Sequence, residues 1–312
     1  MLIRDWHPVA RSSDVAPVAP ARLLGEDLVL WRSEAGVNAW RDLCLHRGTR
    51  LSLGRVERGR LVCAYHGWAY EPGGRCVEIP AHPGQPPPEK ACARAYGCRE
   101  ERGLVWVCLG EPHGEPPSMP EWSDPAFRTI MCGPYPFHAA APRVMENFLD
   151  VAHLPIVHEG LLGTLERPEI APYTVETGEE GLTARGIRLF QPDPDGTGRC
   201  AEVTYTYRVL RPLWGWLSKQ MGFTLCLGVC PVDQVESLAF MLLSMSYAHD
   251  RSEEELRAFQ DRIVAQDRPV VESQRPELLP LDLAAELHLR SDQTAIAYRT
   301  WIRKLGVGFG TV

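Results

Sequence analysis

The chain has 312 residues, of which 45% are hydrophobic and 23% charged, and a formal net charge of −7. These proportions are typical of a soluble globular protein, and the length is sufficient for one large or two medium domains. The negative charge and the lack of a basic run argue against nucleic-acid binding. No apolar run approaches the ~18 residues that a membrane span requires.

The ten cysteines are a small share of this long chain and follow no repeating spacing. Such a pattern is typical of free thiols in a reducing compartment and not of a secreted disulfide scaffold. The first residues also lack the apolar segment of a signal peptide. We therefore expect a cytoplasmic protein without membrane association.

Residues 1–118 predict an all-β domain. Short alternating runs, such as 28–31 and 104–109, are separated by glycine and proline, as is typical of short strands. A proline-rich segment at 111–125 follows the last of these runs and is typical of a domain boundary. The sequence therefore predicts one domain over 1–118 and a second over 119–312.

Two short loops of the first domain each carry one cysteine and one histidine. Cys44 and His46 form a C-x-H pair, and Cys63 and His66 form a C-x-x-H pair. These gaps are short enough for both side chains of a loop to reach one inorganic centre. A glycine follows each loop, where a tightly turning chain benefits from a residue without a Cβ atom.

Two cysteines and two histidines suit either a structural zinc ion or a [2Fe–2S] cluster of the Rieske kind. A zinc finger usually draws like ligands from one knuckle of the chain. Here each loop supplies one ligand of each type. That mixing favours the [2Fe–2S] cluster, with two cysteines on one iron and two histidines on the other.

The second domain has a different pattern. The sequence predicts a helix over 143–154, a helix over 253–266 that begins with a capping box of Ser252 and Glu255, and a final helix over 293–305. Predicted strands cover 182–190, 201–210, 224–229 and 236–247. An antiparallel sheet flanked by long helices makes this an α+β domain.

A second metal site is predicted at His153 and His158. Five residues apart on an unbroken helix, the two rings would diverge by about 140° and could not share an ion. Pro155 lies between them and is expected to kink or end the helix, which would bring them together. Two imidazoles and one carboxylate would form the facial triad that holds Fe(II) with positions left open.

The carboxylate must come from another segment, because Asp150 lies one turn behind His153 and is better placed to orient it. Asp267 is our prediction for the third ligand, with Asp261 and Glu272 as competitors. An acid near the C-terminal end of a helix opposes the helix dipole, and this misfit favours a functional role.

Some features of the sheet remain open from sequence alone. Cys226 and Cys230 share one strand face and are either core thiols or cavity-lining residues. The same choice applies to Met241, Met245 and Tyr247. Trp214 and Trp216 flank a glycine and belong either to a lid or to a packed loop.

Over essentially its whole length the chain resembles the α subunits of Rieske non-haem iron oxygenases, of the short α3 type without a β subunit. The cluster loops match the Rieske motif. The order Asn147, Asp150, His153, His158 matches the motif N-x-x-D-x-x-H-x4-H. Segments 76–84, 103–112 and 297–307 resemble hydroxylases of the saxitoxin pathway, and the chain is also similar to vanillate O-demethylase-like monooxygenases.

This resemblance implies a Rieske domain followed by a helix-grip, START-like catalytic domain. It implies a mononuclear Fe(II), O2 as co-substrate, and hydroxylation or oxidative demethylation of a small aromatic, heterocyclic or alkaloid substrate. It also implies a head-to-tail homotrimer in which Asp150 bridges the two centres, with Asn147 beside it in the catalytic motif. Asp267 matches the acidic residue of the family's C-terminal helix.

Electrons must come from a separate NAD(P)H-dependent reductase or ferredoxin, because the chain contains no P-loop and no strand–GxGxxG–helix unit. A different class of function remains as the alternative. The chain would then be a non-catalytic Rieske electron carrier fused to a domain that binds a hydrophobic ligand.

Overall fold

The computed structural model describes residues 1–220 and 222–312, and these form two compact units. One unit comprises residues 3–116, and the other comprises residues 1–2 and 117–312. No helix in the described part of the chain is both long and apolar enough to cross a membrane.

The unit of residues 3–116 contains three small antiparallel sheets. Their strand orders are β1-β10-β9, β2-β3-β4 and β5-β6-β7-β8. The strands are β1 His7–Arg11, β2 Val18–Leu23, β3 Glu26–Ser33, β4 Gly36–Arg41, β5 Arg55–Glu57, β6 Arg60–Val62, β7 Ala69–Tyr70, β8 Cys76–Glu78, β9 Gly97–Glu101 and β10 Leu104–Cys108.

An aromatic core supports the two cysteine-histidine loops of this unit. Trp31, Trp40 and Tyr70 are fully buried and meet edge to face, with ring centroids 5.0 and 6.3 Å apart. Cys44 and Cys63 belong to the same buried cluster. Edge-to-face packing of large rings is favourable beyond the area it buries, so the base of each loop lies on a rigid platform.

Within the described residues, the second unit is built on a seven-stranded antiparallel sheet. Its order is β11-β17-β16-β15-β14-β13-β12. The strands are β11 Arg128–Phe137, β12 Thr174–Gly178, β13 Gly181–Gln191, β14 Ala201–Arg211, β15 Trp214–Lys219, β16 Phe223–Asp233 and β17 Glu236–Met245. The helices are α1 Ala141–Leu149, α2 Leu154–Val157, α3 Glu253–Ser273 and α4 Gln293–Lys304.

Alternation of side chains gives the sheet one buried face. In β14, Val203, Tyr205, Tyr207 and Val209 are buried, whereas the residues between them are partly or fully exposed. Helix α1 packs against β16, β17 and the other two long helices. Helices on an antiparallel sheet confirm the predicted α+β class, and the predicted capping box of Ser252 and Glu255 is present at the start of α3.

The helix predicted over 143–154 ends earlier in the structure than expected. Helix α1 stops at Leu149, because Asp150 takes an extended backbone conformation (φ −74°, ψ 127°) and its Oδ1 accepts the N–H of Ala152. Such a local turn competes with helical hydrogen bonding. Pro155 does not kink a helix as expected. It lies in the first turn of α2, where a missing N–H carries no penalty.

Helix α3 also differs from its prediction, since it continues through Pro269 to Ser273 and does not end at 266. A proline inside a helix costs about 3 kcal/mol. Contacts beyond the proline offset that cost: Val271 is buried, and Glu272 accepts the backbone N–H of His138. Asp267 therefore lies within the helix and not at its end.

Three strands of the second unit escaped prediction, namely β11, β12 and β15. Strand β11 contains Pro134 and Pro136, and most residues of the edge strand β12 are exposed, so neither shows a clear alternation of apolar residues. Trp214 and Trp216 lie in β15, within the sheet, which makes both the lid and the packed-loop expectations wrong.

Candidate metal centres

The two cysteine-histidine loops have the same internal structure. The carbonyl oxygen of Cys44 accepts the N–H of Gly48 at 2.9 Å, and that of Cys63 accepts the N–H of Gly67 at 3.1 Å. Both glycines have positive φ values, 73° and 70°. Because this region disfavours residues with a Cβ atom, glycine lets each loop close tightly behind its cysteine.

The four side chains of these loops converge in two pairs. Nδ1 of His46 lies 3.1 Å from Nδ1 of His66, at a partly exposed edge. Cys44 and Cys63 are buried beneath them, and burial raises the pKa of the Cys63 thiol. Two buried sulfurs opposite two converging imidazole nitrogens fit a [2Fe–2S] cluster with cysteines on one iron and histidines on the other.

Tyr70 supplies a polar contact to the cluster loops that sequence reasoning missed. Its hydroxyl lies 3.3 Å from Sγ of Cys44. Burial raises the pKa of Tyr70, and the neighbouring Cys44 raises it further, so the hydroxyl stays protonated. Hydrogen bonds to cluster sulfurs are one of the means by which a protein tunes cluster potential.

In the second unit, the structure brings His153, His158 and Asp267 together. Nε2 of His158 lies 3.0 Å from Oδ1 of Asp267, and Nε2 of His153 lies 3.5 Å from the same oxygen. The three candidate ligand atoms all lie within 4.8 Å of one another. The break between α1 and α2 allows this convergence, because His153 precedes α2 and His158 follows it.

These three side chains leave polar atoms without hydrogen-bond partners. Nε2 of His158 and Oδ1 of Asp267 lie 3.0 Å apart but do not form a hydrogen bond, and neither buried atom has another hydrogen-bond partner among the described residues. Buried unpaired polar atoms are costly. A divalent ion bound by two imidazoles and a carboxylate would satisfy them, so the donor set fits mononuclear iron.

Gln266 orients His158. Nδ1 of His158 lies 2.8 Å from Oε1 of Gln266, which fixes the tautomer that leaves Nε2 free for metal. Burial lowers the pKa of His158, but Asp267 and Gln266 outweigh it and the net pKa is raised. Gln266 carried no signal in the sequence, since glutamine belongs to no metal-site motif considered there.

Asp150 lies on the other side of the site, with its Oδ2 3.7 Å from Nδ1 of His153. Burial raises the pKa of Asp150, but His153 and backbone N–H groups outweigh this and hold the net pKa below its usual value. Asn147 lies one turn earlier in α1, and the two line a cavity of about 190 Å³ that also contacts Asp292.

The competitors for the third ligand have other partners. Asp261 accepts the Tyr135 hydroxyl at 2.6 Å, and Glu272 accepts a backbone N–H, as described above. Neither belongs to the cluster of potential ligand atoms. Of the three carboxylates considered in α3, Asp267 is the one placed beside the histidines.

A largely apolar cavity of about 170 Å³ lies between the sheet and α3. Leu154 directly follows His153, and Ile263 lies one helical turn before Asp267. Both line the cavity together with Tyr207, Leu225, Leu243 and Met245. The cavity wall therefore includes chain neighbours of two of the three donor residues, and its apolar lining suits a small organic ligand.

The lining of the cavity also shows which of the cysteines and methionines left open by the sequence are core residues and which are cavity-lining ones. Cys226 and Cys230 are fully buried and do not line it, whereas their strand neighbour Leu225 does. They are therefore core thiols. Met245 and Tyr247 do line the cavity, but Met241 does not.

Comparison with known proteins assigns both domains. Residues 5–89 match the Rieske [2Fe-2S] domain, and residues 137–307 match the vanillate O-demethylase oxygenase C-terminal domain. Methylxanthine N1-demethylase NdmA of Pseudomonas putida is 33% identical over 96% of this chain and 88% of its own length. Methylxanthine N3-demethylase NdmB, of the same organism, is 30% identical over 97% and 89%.

Among solved structures, Pseudomonas putida NdmA with caffeine has a TM-score of 0.84 at 30% identity, covering 97% of this chain and 91% of that one. These matches define an iron-dependent oxygenase component. The chain belongs to the Rieske non-haem iron oxygenases. Its cofactors are a Rieske [2Fe–2S] cluster and mononuclear iron, with O2 as co-substrate, and the alternatives of a zinc module and a non-catalytic electron carrier are not supported.

Proposed function

We propose that this oxygenase removes methyl groups from small aromatic or heterocyclic substrates. Two observations support the choice of demethylation over simple hydroxylation: the relatives are named as N-demethylases, and the C-terminal domain matches that of vanillate O-demethylase. The observation that carries the proposal in this chain is the convergence of His153, His158 and Asp267, together with an apolar cavity whose wall includes Leu154, the residue after His153.

The proposed reaction is a monooxygenation. One oxygen atom of O2 enters a C–H bond of the N- or O-methyl group, and the other leaves as water after taking up two electrons and two protons. The resulting hemiaminal or hemiacetal breaks its C–N or C–O bond. The products are formaldehyde and the demethylated substrate.

Each centre has proposed ligands. Cys44 and Cys63 would hold one iron of the cluster, and His46 and His66 the other. His153, His158 and Asp267 would hold the mononuclear iron. When bound, the cluster stores an electron and the mononuclear iron provides the site of O2 reduction.

The residues around the second site orient its ligands and shape the space beside them. Gln266 holds His158 in the tautomer that presents Nε2, and Asp150 is placed to hold His153 through Nδ1. Asn147, one turn before Asp150, is proposed to act with it, as the motif they share implies. The apolar cavity wall excludes water from the methyl group.

Electron supply and assembly are also proposals. Because the sequence offers no nucleotide-binding motif, a separate NAD(P)H-dependent reductase, with or without a ferredoxin, would feed the cluster. A head-to-tail homotrimer would let the cluster of one chain reduce the iron of the next through Asp150. The cysteine usage favours the cytoplasm.

The test is formaldehyde release. Purified protein with a generic NADPH reductase and ferredoxin is screened against aromatic methyl ethers and N-methyl heterocycles, with O2 uptake and formaldehyde measured together. We expect about one formaldehyde per O2 for a true substrate. Substrate-dependent O2 uptake without formaldehyde would make the enzyme a hydroxylase, and H153A is the inactive control that keeps the visible spectrum of the cluster.

A further inference from the structure

Three polar side chains stand together in the wall of the apolar cavity. Nζ of Lys219 donates to Oε1 of Gln191 at 3.2 Å, and Nε2 of Gln191 donates to the hydroxyl of Tyr205 at 2.6 Å. Gln191 also donates to the carbonyl of Leu162, whose backbone follows His158 by one turn. All three side chains line the cavity, and they come from the adjacent strands β13, β14 and β15.

A β-bulge turns Gln191 inward. The register between β13 and β14 shifts between Ala184 and Ile187, where Gly186 has a φ of 73°. Buried positions change there from even-numbered residues to odd-numbered ones, so that Gln191 is fully buried. Since one inserted residue exchanges the two faces of a strand, an unbroken β13 would have turned Gln191 away from the cavity.

Aromatic rings flank Lys219 on both sides. Its cross-strand partners are Tyr205 on β14 and Phe223 on β16. The ammonium lies 5.6 Å from the centroid of the Tyr205 ring and 4.9 Å from that of Phe223. Cation–π contacts of this kind hold the charge at the cavity wall without neutralising it.

In the described part of the chain, Lys219 has no acidic partner, since no carboxylate lies within ion-pair distance of its Nζ and burial is the only cause of its pKa shift. The acidic groups at the cavity mouth have other roles: Asp193 accepts the N–H of Gly198, Asp195 accepts Thr197, and Glu255 caps α3 through Ser252.

The lysine is unusual in this chain. Only three of its 33 basic residues are lysines, and the other two, Lys90 and Lys304, are exposed. Burial lowers the pKa of Lys219 to about 8. Near neutral pH, the half-buried ammonium of Lys219 is bonded to one neutral amide and lines a largely apolar cavity, where a ligand carboxylate would supply a charged partner.

We propose that Lys219, positioned by Gln191, binds a carboxylate of the substrate and sets the specificity of the cavity for anionic methyl ethers or N-methyl compounds. The inference rests on the proposed demethylase function for the identity of the reacting group. The choice of a carboxylate as the group that Lys219 binds rests only on the residues that line the cavity.

The cavity also sets where the methyl group belongs. Tyr205 and Tyr207 stand side by side on β14, with ring centroids 6.0 Å apart. Tyr205 contacts the Lys219 end. Tyr207 also lines the cavity. A substrate ring lying along these two tyrosines would carry its carboxylate at one end and its methyl group at the other.

The test compares two probes of the same shape, 4-methoxybenzoate and 4-methoxybenzamide, bound to the holoenzyme in calorimetry. We expect the wild type to prefer the carboxylate by about tenfold or more, as for a charged hydrogen bond. K219M should lose that preference and K219R should keep part of it. The exposed-lysine variant K304M is the matched control and should bind like the wild type.

A second measurement needs no substitution of Lys219. Reductive methylation with 13C-formaldehyde labels the three lysines, and the K90M and K304M variants identify the remaining lysine signal. That signal should shift with 4-methoxybenzoate and much less with the amide. An unchanged probe ratio in K219M, a wild-type preference for the amide, or no binding of either probe would overturn the proposal.

The outcomes distinguish carboxylate recognition by Lys219 from the proposed demethylation. If binding favours the carboxylate through Lys219 but no probe yields formaldehyde, the recognition role of Lys219 is supported and the proposed demethylation is wrong. Formaldehyde from 4-methoxybenzoate at equal rates in the wild type and K219M would support demethylation and remove the recognition role.

Discussion

The cluster loops present their histidine edge to solvent, whereas His158 at the second site is fully buried. The ligands proposed for the cluster lie within residues 44–66 and rest on local turns closed by glycine. Those proposed for the mononuclear iron come from residues 153, 158 and 267, which only the folding of the sheet and α3 brings together. An exposed edge suits electron entry, and a buried site suits chemistry from which water is excluded.

The largest expected effect is loss of the mononuclear iron alone. H153A removes one of three converging donors, so iron content should fall from about three to about two per chain. Substrate-dependent O2 uptake should be abolished while the visible spectrum of the cluster is retained. D261N, on the same helix as Asp267 but bonded to Tyr135, is the control and should keep all iron. Full iron content in H153A would contradict the assignment.

The converse change should remove the cluster alone. C63S replaces a soft thiolate ligand by a hydroxyl, and we expect the cluster absorption to disappear. About one iron per chain should remain, and turnover with the reductase should stop. Loss of both centres in C63S, with the fold intact by circular dichroism, would show that the two sites do not form independently.

A smaller effect is expected at Gln266, which fixes the tautomer of His158. Q266L removes the acceptor for Nδ1, and loss of such a group typically costs 10–100-fold in metal affinity or activity, so we expect about that reduction in iron affinity. Q266E keeps an acceptor and should bind iron nearly as well as the wild type. Equal iron affinity in Q266L and the wild type would remove Gln266 from the site.

Lys219 gives a pH dependence in the same cavity. Because only the protonated amine attracts a carboxylate, affinity for 4-methoxybenzoate should fall about tenfold between pH 7 and 9, as pH rises through the pKa of about 8. Burial raises the pKa of Tyr205 and of Tyr247 above this window, and bonding to Thr197 lowers that of Asp195. Asp193, Arg251 and Glu255 are the other charged groups that line the cavity.

Calorimetry at the two pH values checks this dependence. The neutral 4-methoxybenzamide serves as the control and should bind equally at both. A carboxylate affinity that stays constant from pH 7 to 9 would contradict the role of Lys219.

The smallest effects concern the glycines behind the cluster loops. G48A places a Cβ atom at a φ of 73° without a close contact, and we expect a loss of about 1–2 kcal/mol. G67A adds a contact of 3.0 Å with Pro80 and should cost more. G73A, where φ is not positive and nothing lies within 4 Å, is the control. The temperature at which cluster absorption is lost measures all three.

The sequence was most informative where chemistry is local. The mixed loops around Cys44 and Cys63 could be interpreted without a fold, and four of the seven strands described in the second unit followed from alternation. The sequence predicted that His153 and His158 converge, but attributed this to a helix that kinks or ends at Pro155, because sequence spacing does not show that the helix already ends before Asp150. Asp267 needed the family resemblance.

Other residues depended on tertiary structure that no local pattern reveals. Gln191 faces the cavity only because of the bulge in β13, and Lys219 is flanked by rings from two neighbouring strands. Gln266 gains its role from the approach of α3 to His158. Their identities are visible in the sequence, but their environments arise from register and packing.

The most direct test of the two-centre assignment is an anomalous difference map from crystals of the holoenzyme, measured at the iron absorption edge. We predict a pair of iron positions between Cys44, His46, Cys63 and His66. We predict a further iron position bounded by His153, His158 and Asp267. A map without iron among the last three side chains, or with His153 and His158 in separate environments, would contradict the account.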